Sequence, residues 1–294
     1  MIEIAIGPKG EGITGGQQIR SPAVYLDHWA LRKVSENIPL SIRLGQAITG
    51  RDGTLILSWA NLFEFVGLDQ RNVSCAERFI ERLVPALFFL EFNPFKVIQR
   101  ELSFVPNESA FPPHADMELL KLVFGLAPNG LKPITCRGLL DKARQAKGAS
   151  IPTMKRTFVE RIQKLRGEYS NDSSFRKLVN HLGTNPPGLG TTDLVLREIV
   201  GGLMRDNSAP INDNDALDFF HTIVPTVYAD YCLLDGRWRD QVDRLGKRLG
   251  KRGARHSLAT AISGKDAVER LIGYLEGLPP NQALLPTRVG KENK

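Results

Sequence analysis

Apolar residues along this chain fall into two kinds of run: short unbroken blocks, and longer stretches in which they recur every three or four positions. Ala23-Val24-Tyr25-Leu26 is a block of the first kind. It is closed by Asp27 and followed by helix-favouring residues, which predicts a strand over 23–26 ending on a carboxylate. Helices are expected at about 29–36 and 39–49. A Gly50-Arg51-Asp52-Gly53 turn signal introduces a second block, Thr54-Leu55-Ile56-Leu57-Ser58, read as a buried strand with Ser58 capping a helix over 59–67. A helix over 74–87 carries Phe79, Ile80, Leu83 and Leu87 on one stripe, Phe88 to Phe92 is a candidate third strand, and Pro94 opens a helix reaching Glu101. Near the C-terminus a helix through Asp215 to His221 leads into a strand that begins near Asp230 and ends at Asp235. A last helix over 265–277 buries Val268, Leu271, Ile272 and Leu275. Strands alternating with helices predict an α/β fold, a central parallel sheet flanked by helices on both faces.

The middle of the chain breaks this alternation. Helical segments around 115–126, 137–146, 154–182 and 191–206 are separated by proline-containing loops, and no convincing strand is visible among them. The reading is therefore a flexible N-terminal segment over 1–20 and a sheet domain formed by 21–102 together with 207–278. An all-helical insertion at 103–206 divides that domain, and a flexible tail runs over 279–294. The insertion could be a lid, a substrate clamp or a partner-docking surface; its residues do not decide. Gly7 to Gly16 looks superficially like a phosphate loop but lacks the G-x-x-x-x-G-K-[ST] spacing and a preceding buried strand, so it reads as a loop.

Four acids stand where apolar stretches give way to polar ones: Asp27, Glu64, Asp218 and Asp235. Carboxylates at the carboxyl ends of strands, or on the helices just after them, build an oxygen cage for Mg²⁺ or Mn²⁺. Asp27 and Asp235 close predicted strands and are the primary candidate ligands. Glu64 lies on the opening of the helix after Ser58, and Asp218 shares a helix face with His221 three residues on. Each has a plainer explanation: Asp27 as a helix cap, Glu64 as a surface charge, His221 as a packed histidine. Asp213 and Asp215 compete with Asp218 for the third place, and Asp230 with Asp235 for the fourth. Asp230, His221, Ser58 and Asn61 are candidates to stand behind the ligands. His28 could contact substrate or face solvent, and Trp29, Trp59 and Trp238 read as core residues, with base stacking the lesser alternative.

The ordered set resembles the PIN-domain nucleases: an aspartate after the first strand, a glutamate on a following helix, an aspartate in a D-x-x-H-like helix, and an aspartate closing the next strand. The resemblance covers about 21–102 and 208–278. His28 and Leu234 depart from it, standing where hydroxyl residues are frequent. It implies a PIN-like, metal-dependent endonuclease, an endoribonuclease leaving a 5′-phosphate and a 3′-hydroxyl. It also implies a possible inhibitory protein partner, as in the toxin–antitoxin pairs of that family. The same cage would suit a metal-dependent phosphatase or deoxyribonuclease. From a different class, a catalytically inactive basic nucleic-acid-binding or regulatory protein is the alternative.

Net charge of +7 across 294 residues favours a polyanionic partner. Between 236 and 256 there are eight cations, including Arg237, Arg239, Arg244, Lys247, Arg248 and Lys251, against two aspartates, directly after the fourth acid. A second basic run spans 151–182. Either run alone is as well explained by a solvated helical face; two around an acidic cage favour binding to a nucleic-acid backbone, RNA under the resemblance. Cys75, Cys136 and Cys232 are too few and too scattered for a disulfide framework or a zinc site and read as reduced thiols of a cytoplasmic protein. No signal-like start and no bilayer-length apolar stretch is present, so no membrane partner is expected; the oligomeric state is not encoded in any of these patterns.

Overall fold

A computed structural model describes residues 2–6, 13–66, 70–105, 111–123, 126–127, 130–131, 136–181, 190–206, 210–251 and 257–279. In chain order these form β1 (Ile2–Ile6), β2 (Ile13–Gln17), β3 (Ala23–Leu26), α1 (His28–Glu36), α2 (Ile38–Thr49), β4 (Thr54–Ser58), α3 (Trp59–Phe65) and α4 (Gln70–Arg82). There follow β5 (Leu87–Leu90), α5 (Pro94–Ser103), α6 (Met117–Val123), β6 (Leu126–Ala127), β7 (Gly130–Leu131) and α7 (Cys136–Asn171). The chain continues through α8 (Ser173–His181), α9 (Thr191–Arg205), α10 (Asp213–Tyr228), β8 (Tyr231–Leu233), α11 (Gly236–Lys251), β9 (Thr260–Ile262) and α12 (Ala267–Gly277).

The main sheet has five strands in the order β5-β4-β3-β8-β9, and every pairing is parallel. All residues of β3, β4 and β5 are buried, as expected of parallel strands covered on both faces. Chain order runs outward from β3 through β4 to β5 on one side, then returns to β8 and β9 on the other. The reversal falls between β3 and β8, where Leu26 pairs with Leu233 and the Asp27 N–H donates to the Leu233 carbonyl at 3.0 Å. Outside the carboxyl ends of strands at such a reversal, the two following chain segments diverge and leave a crevice.

Several details differ from the sequence reading. The N-terminal segment expected to be flexible forms an antiparallel pair, β1 with β2. Gln17 then uses its side-chain amide as a strand would: it donates to the Phe89 carbonyl at 2.8 Å and accepts from the Phe89 N–H at 2.9 Å. This occupies polar groups on the exposed edge of β5. Of the loop expected at 7–16, residues 13–16 belong to β2 and 7–12 lie outside the described residues, as do residues 280–294 of the tail expected at 279–294. The insertion carries one short strand pair, β6 with β7, within its helices. Its helix α7 runs 36 residues without stopping at Pro152, which is exposed. Leu139, Ile151, Ile162, Leu194 and Ile199 from the insertion belong to the same buried cluster as the strands, so the insertion shares the core. An aromatic string joins the layers: Phe63 meets Phe92, Phe92 meets Phe220, and Phe219 meets Phe158 of α7 at a centroid separation of 4.8 Å.

Candidate metal centre

Local sequence places each acid at the carboxyl edge of the sheet. Asp27 terminates β3 and is the N-cap of α1; its Oδ1 accepts from the His28 N–H at 2.6 Å. Asp235 follows β8 and plays the same part for α11, accepting from the Trp238 N–H at 3.0 Å. Each cap engages one carboxylate oxygen, and Oδ2 of each accepts no hydrogen bond among the described residues. The capping and ligand readings of Asp27 are thus compatible. Glu64 is carried by α3, whose first turn is locked by a bond from the Ser58 N–H to Asn61 Oδ1 at 2.9 Å. Asp218 and His221 lie one turn apart on α10, with Asp218 half-buried and His221 fully buried.

These groups converge. One ligand atom from each of Asp27, Glu64 and His221 lies within 4.8 Å of the others. His221 Nε2 is 2.8 Å from Glu64 Oε2 and 3.9 Å from Asp27 Oδ1, and His28 Nδ1 is 3.8 Å from the same Glu64 oxygen. Burial, reinforced by Glu64 and Asp235 against the pull of His221, pushes the Asp27 carboxyl up to about 6. Burial with the charges of Asp27 and Asp235 lifts Asp218 to about 7. Glu64 goes the other way: burial works to raise it, but the charge and hydrogen bond of His221 together with His28 and Lys155 bring it below the ordinary glutamate value. Burial likewise works to lower His221, and Glu64, Asp27 and Asp218 outweigh it, raising the imidazole to about 9. Carboxylates that destabilise one another when buried together are what a divalent cation neutralises. The donor set of carboxylates and one imidazole fits such an ion.

Asp27, Glu64 and His221 therefore gather at one place, with Asp218 and Asp235 near enough for their charges to act on it, while other expectations change. Asp230 precedes β8, so it lies at the opposite, amino edge, where its Oδ2 accepts from the Ala23 N–H at 2.7 Å; it does not stand behind the cage. Asp215 is occupied by the Asn212 N–H at 2.8 Å and by an ion pair with Arg237, and Asp213 is exposed. Ser58 and Asn61 stand directly behind the site: Ser58 Oγ is 3.2 Å from the Tyr25 hydroxyl, which in turn bonds His221 Nδ1. Tyr25 escaped the sequence reading, although a tyrosine inside a wholly apolar strand needs a partner for its hydroxyl. Glu91 is a further acid after a strand, buried and paired with Arg100 at 3.3 Å, which shows that strand-then-acid alone does not make a site.

Of the six cations expected to meet nucleic acid, three are engaged within the chain. Arg237 holds Asp215, Arg239 pairs with Asp240 at 3.1 Å, and Arg248 pairs with the buried Glu198 at 2.7 Å. Arg244 and Lys247 are exposed, and the Lys251 side chain lies outside the described residues. Two other sources of positive charge act on or adjoin the acids. Lys155 of α7 acts electrostatically on Glu64, and it lies one turn before Phe158, which packs on the neighbour of Asp218. A crevice of about 580 Å³ beside Asp235 is lined by Trp29, Lys33, Leu234, Gly236, Gly264 and Lys265, drawn from the segments following β3, β8 and β9.

Comparison with protein-family models, with curated proteins and with solved structures gave no match for the chain. No helix among the described residues is long and apolar enough to cross a membrane.

Proposed function

We propose that the chain is a metal-dependent endonuclease of PIN-like type, acting on RNA in the cytoplasm. The observation that supports this reading is the cluster of Asp27, Glu64 and His221 at the strand-order reversal, with Asp218 and Asp235 acting electrostatically on Asp27 and a crevice with two lysines beside Asp235. A bound Mg²⁺ or Mn²⁺ would supply a polarised water and offset the charge that builds on the transferring phosphate. The chain's residues do the rest. Asp27, Glu64 and Asp235 would hold the ion, and Asp218, half-buried beside them, would offer an oxygen to the attacking water's proton. Lys155 approaches from the insertion and balances phosphate charge, which makes the insertion a clamp on the substrate. Trp29 gives a face for an adjacent base, and Lys265 a charge for the next phosphate. An inhibitory protein partner would have to cover this same edge.

A second reading has one observation in its favour: the His221–Glu64 pair neutralises part of the cage without a metal, as a basic nucleic-acid-binding or regulatory protein would require. Labelled single-stranded RNA, and DNA of the same sequence, incubated with Mn²⁺, Mg²⁺ or chelator separates the two. Chelator-sensitive cleavage by the native chain that disappears in Asp27→Asn supports the enzyme; RNA retention with no cleavage in any metal supports the binding protein. Cleavage of DNA alone would move the substrate to deoxyribonucleic acid.

A further inference from the structure

The hydrogen bonds behind His221 can be given directions, because two backbone groups fix the amide at one end of the chain they form. The Leu26 carbonyl only accepts, so Asn61 Nδ2 donates to it at 2.8 Å. The Ser58 N–H only donates, so Asn61 Oδ1 accepts at 2.9 Å, and the amide has one orientation. Ser58 Oγ lies 3.1 Å from that same Oδ1 and must donate to it. Toward Tyr25, at 3.2 Å, Ser58 is left only as acceptor, so the phenol donates. The Tyr25 oxygen then accepts from His221, and Nδ1 carries a proton. Tyr25, Ser58, Asn61 and His221 are all at most 1% exposed, which leaves no bulk water to break the sequence of bonds. Nε2 is consequently the nitrogen turned toward Glu64 and Asp27.

We infer that Nε2 of His221, which gives up the proton it shares with Glu64 when the ion binds, is a nitrogen ligand of the metal, with Nδ1–H kept in place by the Tyr25–Ser58–Asn61 relay to the Leu26 carbonyl, and that this nitrogen makes the site select Mn²⁺ over Mg²⁺. The inference rests on the reading of the cage as a metal site and adds the identity of the ion. Mg²⁺ takes hard oxygen donors and gives up its waters reluctantly, whereas imidazole suits first-row transition ions. An outer partner of a ligating histidine fixes which nitrogen is offered, and losing it typically weakens the metal about 10–100-fold. Tyr25 and Ser58 are positioning residues: with Ser58 gone, the phenol is free to donate to Nδ1, so the one proton left when the ion competes stays on Nε2 and blocks the ligand atom.

The test uses the full-length chain and reads the metal itself. Electron spin-echo modulation of bound Mn²⁺ reports directly coordinated ¹⁴N, and calorimetry gives Mn²⁺ and Mg²⁺ affinities. The native protein should show ¹⁴N modulation and bind Mn²⁺ at least about tenfold more tightly than Mg²⁺. His221→Gln should lose the modulation and bring the two affinities together, with Mg²⁺ binding little changed. Ser58→Ala should weaken Mn²⁺ about 10–100-fold and Ser58→Thr should restore it. Mn²⁺ bound without ¹⁴N modulation, at parity with Mg²⁺, overturns the inference and leaves the metal-nuclease reading standing. Binding of neither ion overturns both. Should His221→Gln fail to fold, the Ser58 pair decides alone: equal Mn²⁺ affinity in Ser58→Ala and the native chain refutes the relay.

Discussion

Replacing Asp27 by Asn should make the metal-free protein more stable while abolishing cleavage. Asp27 is 5% exposed, and burial beside Glu64 and Asp235 lifts its carboxyl from 3.8 to about 6. A carboxyl whose folded pKa lies above its unfolded value binds its proton more tightly when folded. Its contribution is therefore fully present below about pH 4 and is lost as the pH rises through about 6. At neutral pH the native fold holds an ionised Asp27 against a tenfold-per-1.4 kcal/mol preference for the neutral form, which amounts to roughly 3 kcal/mol. Asn is isosteric, caps helices as well as Asp, and keeps the bond from the His28 N–H, so most of that sum should reappear as stability. For a chain of this size it corresponds to a rise of roughly 5 °C in melting temperature. The attraction of His221 is already contained in that net shift. Thermal unfolding with chelator, native against Asp27→Asn at about pH 5 and about pH 8, measures the effect; the advantage of the variant should be roughly twice as large at the higher pH. Added Mn²⁺ should then raise the melting temperature of the native protein and not of the variant. A variant less stable than native at the higher pH would refute the idea that the acids are held together against their own repulsion.

Lys155→Ala should lower the cleavage rate roughly tenfold to a hundredfold with folding unaffected, since the half-buried side chain acts on Glu64 through its charge; an unchanged rate would detach the insertion from the chemistry. Asp116 has a buried Oδ2 with no hydrogen-bond partner, and burial together with Glu91 raises it to about 7. Asp116→Asn keeps the cap on α6 and should flatten a loss of stability that the native protein shows between about pH 4 and 7, worth at most ~4 kcal/mol by chemical denaturation. Arg244→Glu with Lys247→Glu should weaken RNA binding and reduce its salt dependence, while Arg248→Ala should leave binding nearly intact and cost roughly 2–3 kcal/mol of stability by stranding Glu198.

The fold was legible where burial on both faces leaves an unbroken apolar block. Ala23 to Leu26 and Thr54 to Ser58 form strands, the block expected at Phe88 to Phe92 forms one over Leu87 to Leu90, and their alternation with helices implied the parallel sheet that is present. Thr260 to Ile262 passed unnoticed because three residues at the edge of a sheet carry no period of their own; pairing to β8 makes them a strand. The β1–β2 pair was hidden by glycines that read as loop. In the site, the carboxylates were visible because each ends an apolar run, yet the same signal marks Glu91, which is a buried ion-pair partner. What sequence could not reveal is the path from Leu26 through Asn61, Ser58 and Tyr25 to His221. Its last step joins residues 196 positions apart, and no spacing rule connects them.

The central claim, that side chains from β3, α3, α10 and the end of β8 share a divalent ion, is tested most directly by a crystal grown in manganese and measured at the manganese absorption edge. The account predicts an anomalous peak bounded by Asp27, Glu64 and Nε2 of His221, with Asp218 and Asp235 facing it. A crystal with no peak there, and with Glu64 still closed on His221, would contradict it.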